Sequence, residues 1–196
     1  MTSEKILEAA QKLFEDRGFD LTSVRDIATA ADVNVALINY HFESKENLLL
    51  TILEKRMDKT RMRLSDINKS DLTPEEKLRQ VVSLYVEKVF ANCPYYHFVQ
   101  RELSSNGRSE LREAISKIIT RNAREFRSLL EDGQKLKVFR KDADLELSAA
   151  TLFGIIYQTS HEFFSKRYRL PGEKDQAFRI RVENYTYQLL ISHLKK

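Results

Sequence analysis

Hydrophobic residues recur at spacings of three and four along nearly the whole chain of 196 residues, and only five glycines and three prolines interrupt them. That period matches 3.6 residues per turn and predicts an all-α protein. Ile6, Ala10, Leu13 and Phe14 make one apolar stripe with Leu7 beside it, and Gly18 stands where a left-handed C-terminal cap would end the helix. Phe19 then folds back onto that core. Thr22 and Ser23 offer capping hydroxyls, and Ser23 with Asp26 has the capping-box spacing, so a short second helix is expected to end near Ala30. Ala31-Asp32-Val33 forms a tight turn in which Asp32 tolerates left-handed backbone, and Asn34 caps a third short helix that closes at Phe42.

From Ser44 a longer helix runs to about Ile67, followed by a polar stretch to Thr73 and a fresh start at Pro74, a favoured first-turn residue. Leu78 to Ala91 is helical up to Pro94, Tyr95 to Leu103 is a short helix, and Ser104-Ser105-Asn106-Gly107 is a loop. Leu111 to Leu130 makes a long amphipathic helix ended near Gly133. Two more helices are expected, Asp144 to Ser165 and Lys174 to Leu194, with Pro171-Gly172 between them. The pattern divides the chain into an N-terminal three-helix domain, residues 1–50, and a C-terminal helical bundle, residues 51–196.

Residues 23–42 taken together have the spacing of a helix-turn-helix. Val24, Ile27 and Ala28 face inward from its first helix, and small Ala28 lets the second approach. Val33, Ile38 and Phe42 fall on one face and pack inward, which leaves Val35, Ala36, Leu37, Asn39, Tyr40 and His41 on the open side or its rim. Small apolar side chains at a helix N-terminus suit thymine methyls, and Asn, Tyr and His bond base edges or phosphates. For Tyr40 and His41 the alternative is packing and capping of the helix end.

Composition adds limits. With 42% hydrophobic and 32% charged residues the chain fits one or two globular domains with a core. No apolar run approaches a membrane span, and the charged start MTSEK lacks the apolar region of a signal peptide, so a cytoplasmic protein that binds no membrane is expected. The single cysteine, Cys93, agrees with a reducing compartment. The formal charge of +4 permits an anionic partner without locating one, because residues 1–50 carry five Lys/Arg against nine Asp/Glu. DNA binding there must rest on geometry, with helix N-termini and neutral donors holding phosphates, helped by Lys45.

The string ILEAAQKLFEDRGFDLTSVRDIATAADVNVALINYHFESKENLL, residues 6–49, resembles the DNA-binding domain of the tetracycline-repressor (TetR) family of bacterial transcriptional regulators. Ala9-Ala10, Leu13-Phe14, Gly18-Phe19, Thr22, Ile27-Ala28, Ala31, Val33, Tyr40-His41-Phe42, Ser44-Lys45-Glu46 and Leu48 carry the likeness; Asp32 and Asn39 depart from the usual glycine and aromatic. The resemblance implies a homodimer on double-stranded operator DNA, palindromic in sequence, with the third helix in the major groove and a small-molecule effector in a variable C-terminal domain. By position it implies base contacts from Arg25, Val35, Ala36, Leu37 and Asn39, and phosphate contacts from Thr22, Ser23, Tyr40, His41 and Lys45, with Asn34 at the start of the same helix.

In the second domain, aromatic residues dominate the core pattern, and Tyr96, His97, Arg101, Phe126, Tyr157, Gln158 and His161 are the candidates to line an effector pocket. The row Phe178, Val182, Tyr185, Leu189 on the last helix, with Gly154 in the preceding one, suggests a dimer interface of two helices from each chain. No catalytic, metal-binding or cofactor constellation stands out: His161-Glu162 begins like a zinc-protease helix, but Ser165 occupies the place of the second His. No enzymatic activity, metal or cofactor is expected; the competing function classes are a helical protein-interaction adaptor and a small-molecule enzyme without a recognisable motif.

Overall fold

The computed structural model describes residues 2–104 and 109–195, all of them in helices and the turns that join them. The loop expected at residues 104–107 lies mostly outside those residues. Ten helices follow in order: α1 (Thr2–Arg17), α2 (Val24–Ala31), α3 (Val35–Phe42), α4 (Lys45–Lys69), α5 (Pro74–Ala91), α6 (Cys93–Ser104), α7 (Ser109–Lys135), α8 (Leu145–Ser160), α9 (Glu162–Tyr168) and α10 (Asp175–Leu194). Contacts group them into two compact units: residues 1–59 with 94–120, and residues 60–93 with 121–196. The divisions fall inside α4 and α7, each of which runs from one unit into the other, and after Cys93, the first residue of α6. The packed N-terminal unit therefore extends beyond residue 50 and takes in α6 and the start of α7.

The first unit has a continuous apolar core. Ile6, Ala10 and Phe14 of α1 meet Ile27, Ala28 and Ala31 of α2, Ile38 and Phe42 of α3, and Leu48, Leu49, Ile52 and Leu53 of α4. From later in the chain, Tyr95, Phe98 and Val99 of α6 and Leu111, Ile115 and Ile118 of α7 join the same cluster. The Phe98 ring stacks on Phe14, 6.1 Å between centroids, and Phe14 tilts against Phe19 at 5.3 Å. Burying a large side chain of this kind contributes roughly 1.5–3 kcal/mol.

In the second unit, α10 packs on α5 and α8, and α8 on α5 and α9. Ser148, Leu152, Ile156 and Ser160 of α8 are buried, as are Phe178, Val182, Thr186, Leu190 and Leu194 of α10, one residue per turn in each helix. Pro74 stands in the first turn of α5, as the sequence predicts, and Thr73 caps the helix with a capping box to Glu76.

Three expected boundaries differ. Pro94 sits in the first turn of α6, where a missing N–H is tolerated, so it opens that helix and does not lie ahead of it. The helix expected from Asp144 to Ser165 breaks at His161, whose backbone is extended (φ −65°, ψ 126°) and whose side chain accepts the Phe163 N–H to start α9. Gly133 does not end α7, which continues to Lys135. A methyl at Gly133 would lie 2.1 Å from Cδ2 of Phe139, so the bare backbone there admits the Phe139 ring as the chain folds back.

Candidate nucleic-acid interface

Local chemistry fixes the helix-turn-helix at each joint. At α2, the Ser23 hydroxyl accepts the Asp26 N–H at 3.1 Å while the Asp26 carboxylate accepts the Ser23 N–H at 2.8 Å, a complete capping box. The Ser23 hydroxyl, which also donates to Asp26 Oδ2 at 2.6 Å, and then the Ser23 N–H hold the Asp26 carboxyl below the usual carboxylate range. Asp32 ends α2 in left-handed backbone (φ 54°, ψ 52°), and the Val33 N–H returns to the Ala28 carbonyl at 3.0 Å. Asn34 then opens α3, its side-chain oxygen accepting the Leu37 N–H at 2.8 Å. At the far end Glu43 has φ 64° and ψ −46°, and the Ser44 N–H donates across it to the Phe42 carbonyl at 2.7 Å. That is a tight three-residue turn with a sterically unfavourable centre, and it re-aims the chain within one residue from α3 into α4.

With Ile38 and Phe42 buried, α3 presents Asn34, Ala36, Asn39, Tyr40 and His41 to solvent, and Val35 and Leu37 at the rim. Tyr40 is 81% exposed. Its ring meets the His41 ring edge-on at 5.2 Å, and His41 meets Phe42 at 6.0 Å. Arg25 is exposed on α2, and Ser23 stands at its N-terminus. This surface combines an unobstructed helix about 12 Å long with amide, phenol, imidazole and guanidinium donors and small apolar side chains; a B-DNA major groove is about 12 Å wide.

Two residues expected at phosphates are engaged differently. Thr22 is 1% exposed, and its hydroxyl donates to the Gly18 carbonyl at 2.8 Å, so its side chain supports the loop between α1 and α2. Lys45 turns inward: its ammonium donates to the carbonyls of Phe19 and Thr22, both at 2.9 Å, and lies 4.2 Å from the Phe19 ring centroid. Nothing in local sequence announces this, because the accepting carbonyls lie 26 and 23 residues away.

The other candidate sets are distributed as follows. Tyr96, His97 and Arg101 belong to the first unit, and Phe126, Tyr157, Gln158 and His161 to the second. Arg101 donates to the Phe14 carbonyl at 3.4 Å, and Phe126 is core. Gln158 approaches the Tyr168 hydroxyl at 3.5 Å, and His161 caps α9. Of the expected interface row, Phe178 and Val182 are buried within their own unit beside α5, Phe90 against Phe178 at 6.0 Å, so they offer no outer surface. Tyr185, Leu189 and Gly154 do face outward, joined by Leu147 and Ile180, which the spacing argument missed. A polar groove of about 340 Å³ lies between α4 and α5, lined by Arg63, Asp66, Ile67, Gln80, Ser83, Leu84 and Glu87, none of which the sequence singled out. Among the described residues no group of three or more His, Cys, Asp or Glu side chains is placed to hold a metal ion, and no helix is long and apolar enough to cross a membrane.

A short α3 presented from a capped three-helix frame defines a helix-turn-helix DNA-binding protein. Residues 6–52 match the family of bacterial regulatory proteins called the tetR family, and residues 71–180 match the tetracycline-repressor-like C-terminal domain; the chain belongs to the TetR family and is a DNA-binding transcriptional regulator. It is 32% identical over 141 residues to the probable HTH-type transcriptional regulator YttP of Bacillus subtilis, covering 70% of this chain and 67% of that one. It is 31% identical over 144 residues to the HTH-type transcriptional repressor KstR2 of Rhodococcus jostii, covering 74% and 71%. In fold it is similar to the transcriptional regulator FadR from Bacillus subtilis, solved in complex with stearoyl-CoA: TM-score 0.80, 23% identity, 97% of this chain and 98% of that one.

Proposed function

We propose that this protein is a cytoplasmic homodimeric repressor that reads a palindromic operator through α3 and is released from it by a small molecule. Residues 1–50 bind DNA, and residues 51–196 form the effector and dimerisation domain. The observation that carries the proposal is the open face of α3: among the described residues, no hydrogen bond inside the protein engages the Asn39 amide or the Tyr40 hydroxyl, so both remain available to base edges and phosphates. Arg25, Val35, Ala36 and Leu37 complete the base-facing set; Ser23, Asn34 and His41 flank it at the backbone. Repression follows the relative KstR2, and a small-molecule effector follows FadR, whose complex names stearoyl-CoA. The protein performs no enzymatic reaction and needs no cofactor.

Dimerisation is assigned to α8 and α10. These helices pack on each other and leave Leu147 and Gly154 of α8 and Tyr185 and Leu189 of α10 outward, apolar and bare positions suited to a second copy about a two-fold axis. Selection of duplexes from a random pool tests the whole proposal. The enriched sequence is expected to be two-fold symmetric with half-sites 10–10.5 base pairs apart, or a multiple of that. Addition of stearoyl-CoA, the first candidate, then checks release. An asymmetric selected site would contradict the dimer, and no enrichment over bulk DNA would contradict specific recognition.

A further inference from the structure

One ammonium closes the helix-turn-helix into a ring. Lys45, half-buried in the first turn of α4, donates to the Phe19 and Thr22 carbonyls, both at 2.9 Å, and its charge lies 4.2 Å from the centroid of the buried Phe19 ring. Those carbonyls belong to a turn that the protein also fixes from within. The Thr22 N–H donates to the Phe19 carbonyl at 3.3 Å, and the buried Thr22 hydroxyl donates to the Gly18 carbonyl at 2.8 Å. Ser23, the cap of α2, follows Thr22 directly, and Lys45 follows the turn at Glu43 and Ser44 that ends α3. Between the two anchor points lies the whole α2–α3 pair.

We propose that Lys45 is a positioning residue for operator binding and not a phosphate ligand: by tying the turn that enters α2 to the start of α4, it fixes the α2–α3 pair on its frame. The proposal rests on α3 as the DNA-reading helix. A bond between residues 23 positions apart restricts the segment it encloses. Without it the α2–α3 pair gains freedom that must be removed again on DNA, which weakens operator binding. An unrelated duplex is held through its backbone and needs no single placement of α3, so it depends on the link far less. The niche itself selects an ammonium. A compact charge with three donors meets two carbonyls and a ring face, whereas the guanidinium of arginine is planar, larger and aims its donors along a fixed fork. A phosphate makes the opposite choice, since it takes a guanidinium at least as well as an ammonium.

Two substitutions separate the roles: Lys45→Met removes the charge and keeps an apolar stem, and Lys45→Arg keeps the charge. Affinity for the selected operator and for an unrelated duplex would be measured at several salt concentrations, below the denaturation midpoint of each protein. Positioning requires Lys45→Met to bind operator about tenfold more weakly, with the unrelated duplex within about twofold of the parent and the slope of log affinity against log salt unchanged. Lys45→Arg should bind operator as weakly as Lys45→Met. A slope flatter by about 0.9 in Lys45→Met, or parent-like operator affinity in Lys45→Arg, marks a phosphate contact and would overturn the proposal. A lowered midpoint with unchanged operator affinity in Lys45→Met would overturn it too, by leaving the link a role in stability alone. Should the variants fail to fold, reductive methylation of the parent protein decides. Lys45 is expected to react slowly and at the same rate with and without operator; protection that arises only on operator would put the ammonium at a phosphate and overturn the proposal. Failure of α3 as the reading helix shows separately, as an Asn39 and Tyr40 double variant that retains operator affinity.

Discussion

Glu43 has φ 64° and ψ −46°, an unfavourable backbone for a residue with a side chain, and it sits at the joint between α3, the proposed reading helix, and α4. A side chain at φ 64° and ψ −46° costs on the order of 1–3 kcal/mol, whereas glycine adopts that conformation readily and gives back only about 0.5–1 kcal/mol in unfolded-chain entropy. Glu43→Gly is therefore expected to stabilise the protein by about 1 kcal/mol, seen as a raised denaturation midpoint; a lowered midpoint would mean that the turn is not strained. Some single-residue roles were legible in the sequence and others were not. Asp32 stood in a turn between two short helices, and a left-handed conformation followed from its place and chemistry. Lys45 and Thr22 were expected at phosphates from their positions in the family-like string. Their real partners are carbonyls of a loop whose position depends on the tertiary fold.

At the scale of elements, period and capping residues located the helices well, since both act within one or two turns. They were less informative where a distant group decides the outcome. Gly133 looked like a terminator, but its role depends on the Phe139 ring packing on it. His161 looked like a mid-helix residue, yet it caps α9. Between α9 and α10 the Glu173 carboxylate takes both Arg181 Nε and Nη2 at 2.7 Å and accepts the Leu170 N–H at 3.1 Å. The Arg181 bond is the main reason that the Glu173 carboxyl falls to about 2. Because the folded value is depressed, the contribution to stability is present above the ordinary glutamate range near 4.3 and is lost as pH falls toward 2. Glu173→Gln should thus lower the denaturation midpoint at pH 7 and converge on the parent as pH approaches 2. A difference that stays constant from pH 7 to pH 2 would contradict the ion pair.

For the whole molecule, the sequence indicated a helix-turn-helix regulator more clearly than how its second half works. Residues 6–49 carry a long family-like string, whereas effector and interface residues were inferred from aromatic content and from a row that turned out half buried. Phe178 at 1% exposed and Tyr185 at 63% show why: spacings of three and four place residues on one broad side of a helix without saying which neighbour covers each. Replacing Leu189 by Arg should dissociate the dimer, leaving a monomer at micromolar concentration by sedimentation with helicity unchanged, and operator affinity should fall with it because each half-site is then bound alone. An intact dimer in this variant would move the interface elsewhere.

The central claim is that α3 reads the operator, and it is tested most directly by comparing the parent protein with the Asn39→Ala/Tyr40→Ala variant on the selected operator and on an unrelated duplex at one fixed salt concentration. Loss of the Asn39 base-edge contact, worth roughly 1–3 kcal/mol, together with the Tyr40 contact is expected to weaken operator binding by tenfold or more and to weaken the unrelated duplex less, while thermal stability changes little. Unchanged operator affinity in the folded double variant would contradict the assignment of α3 as the reading helix.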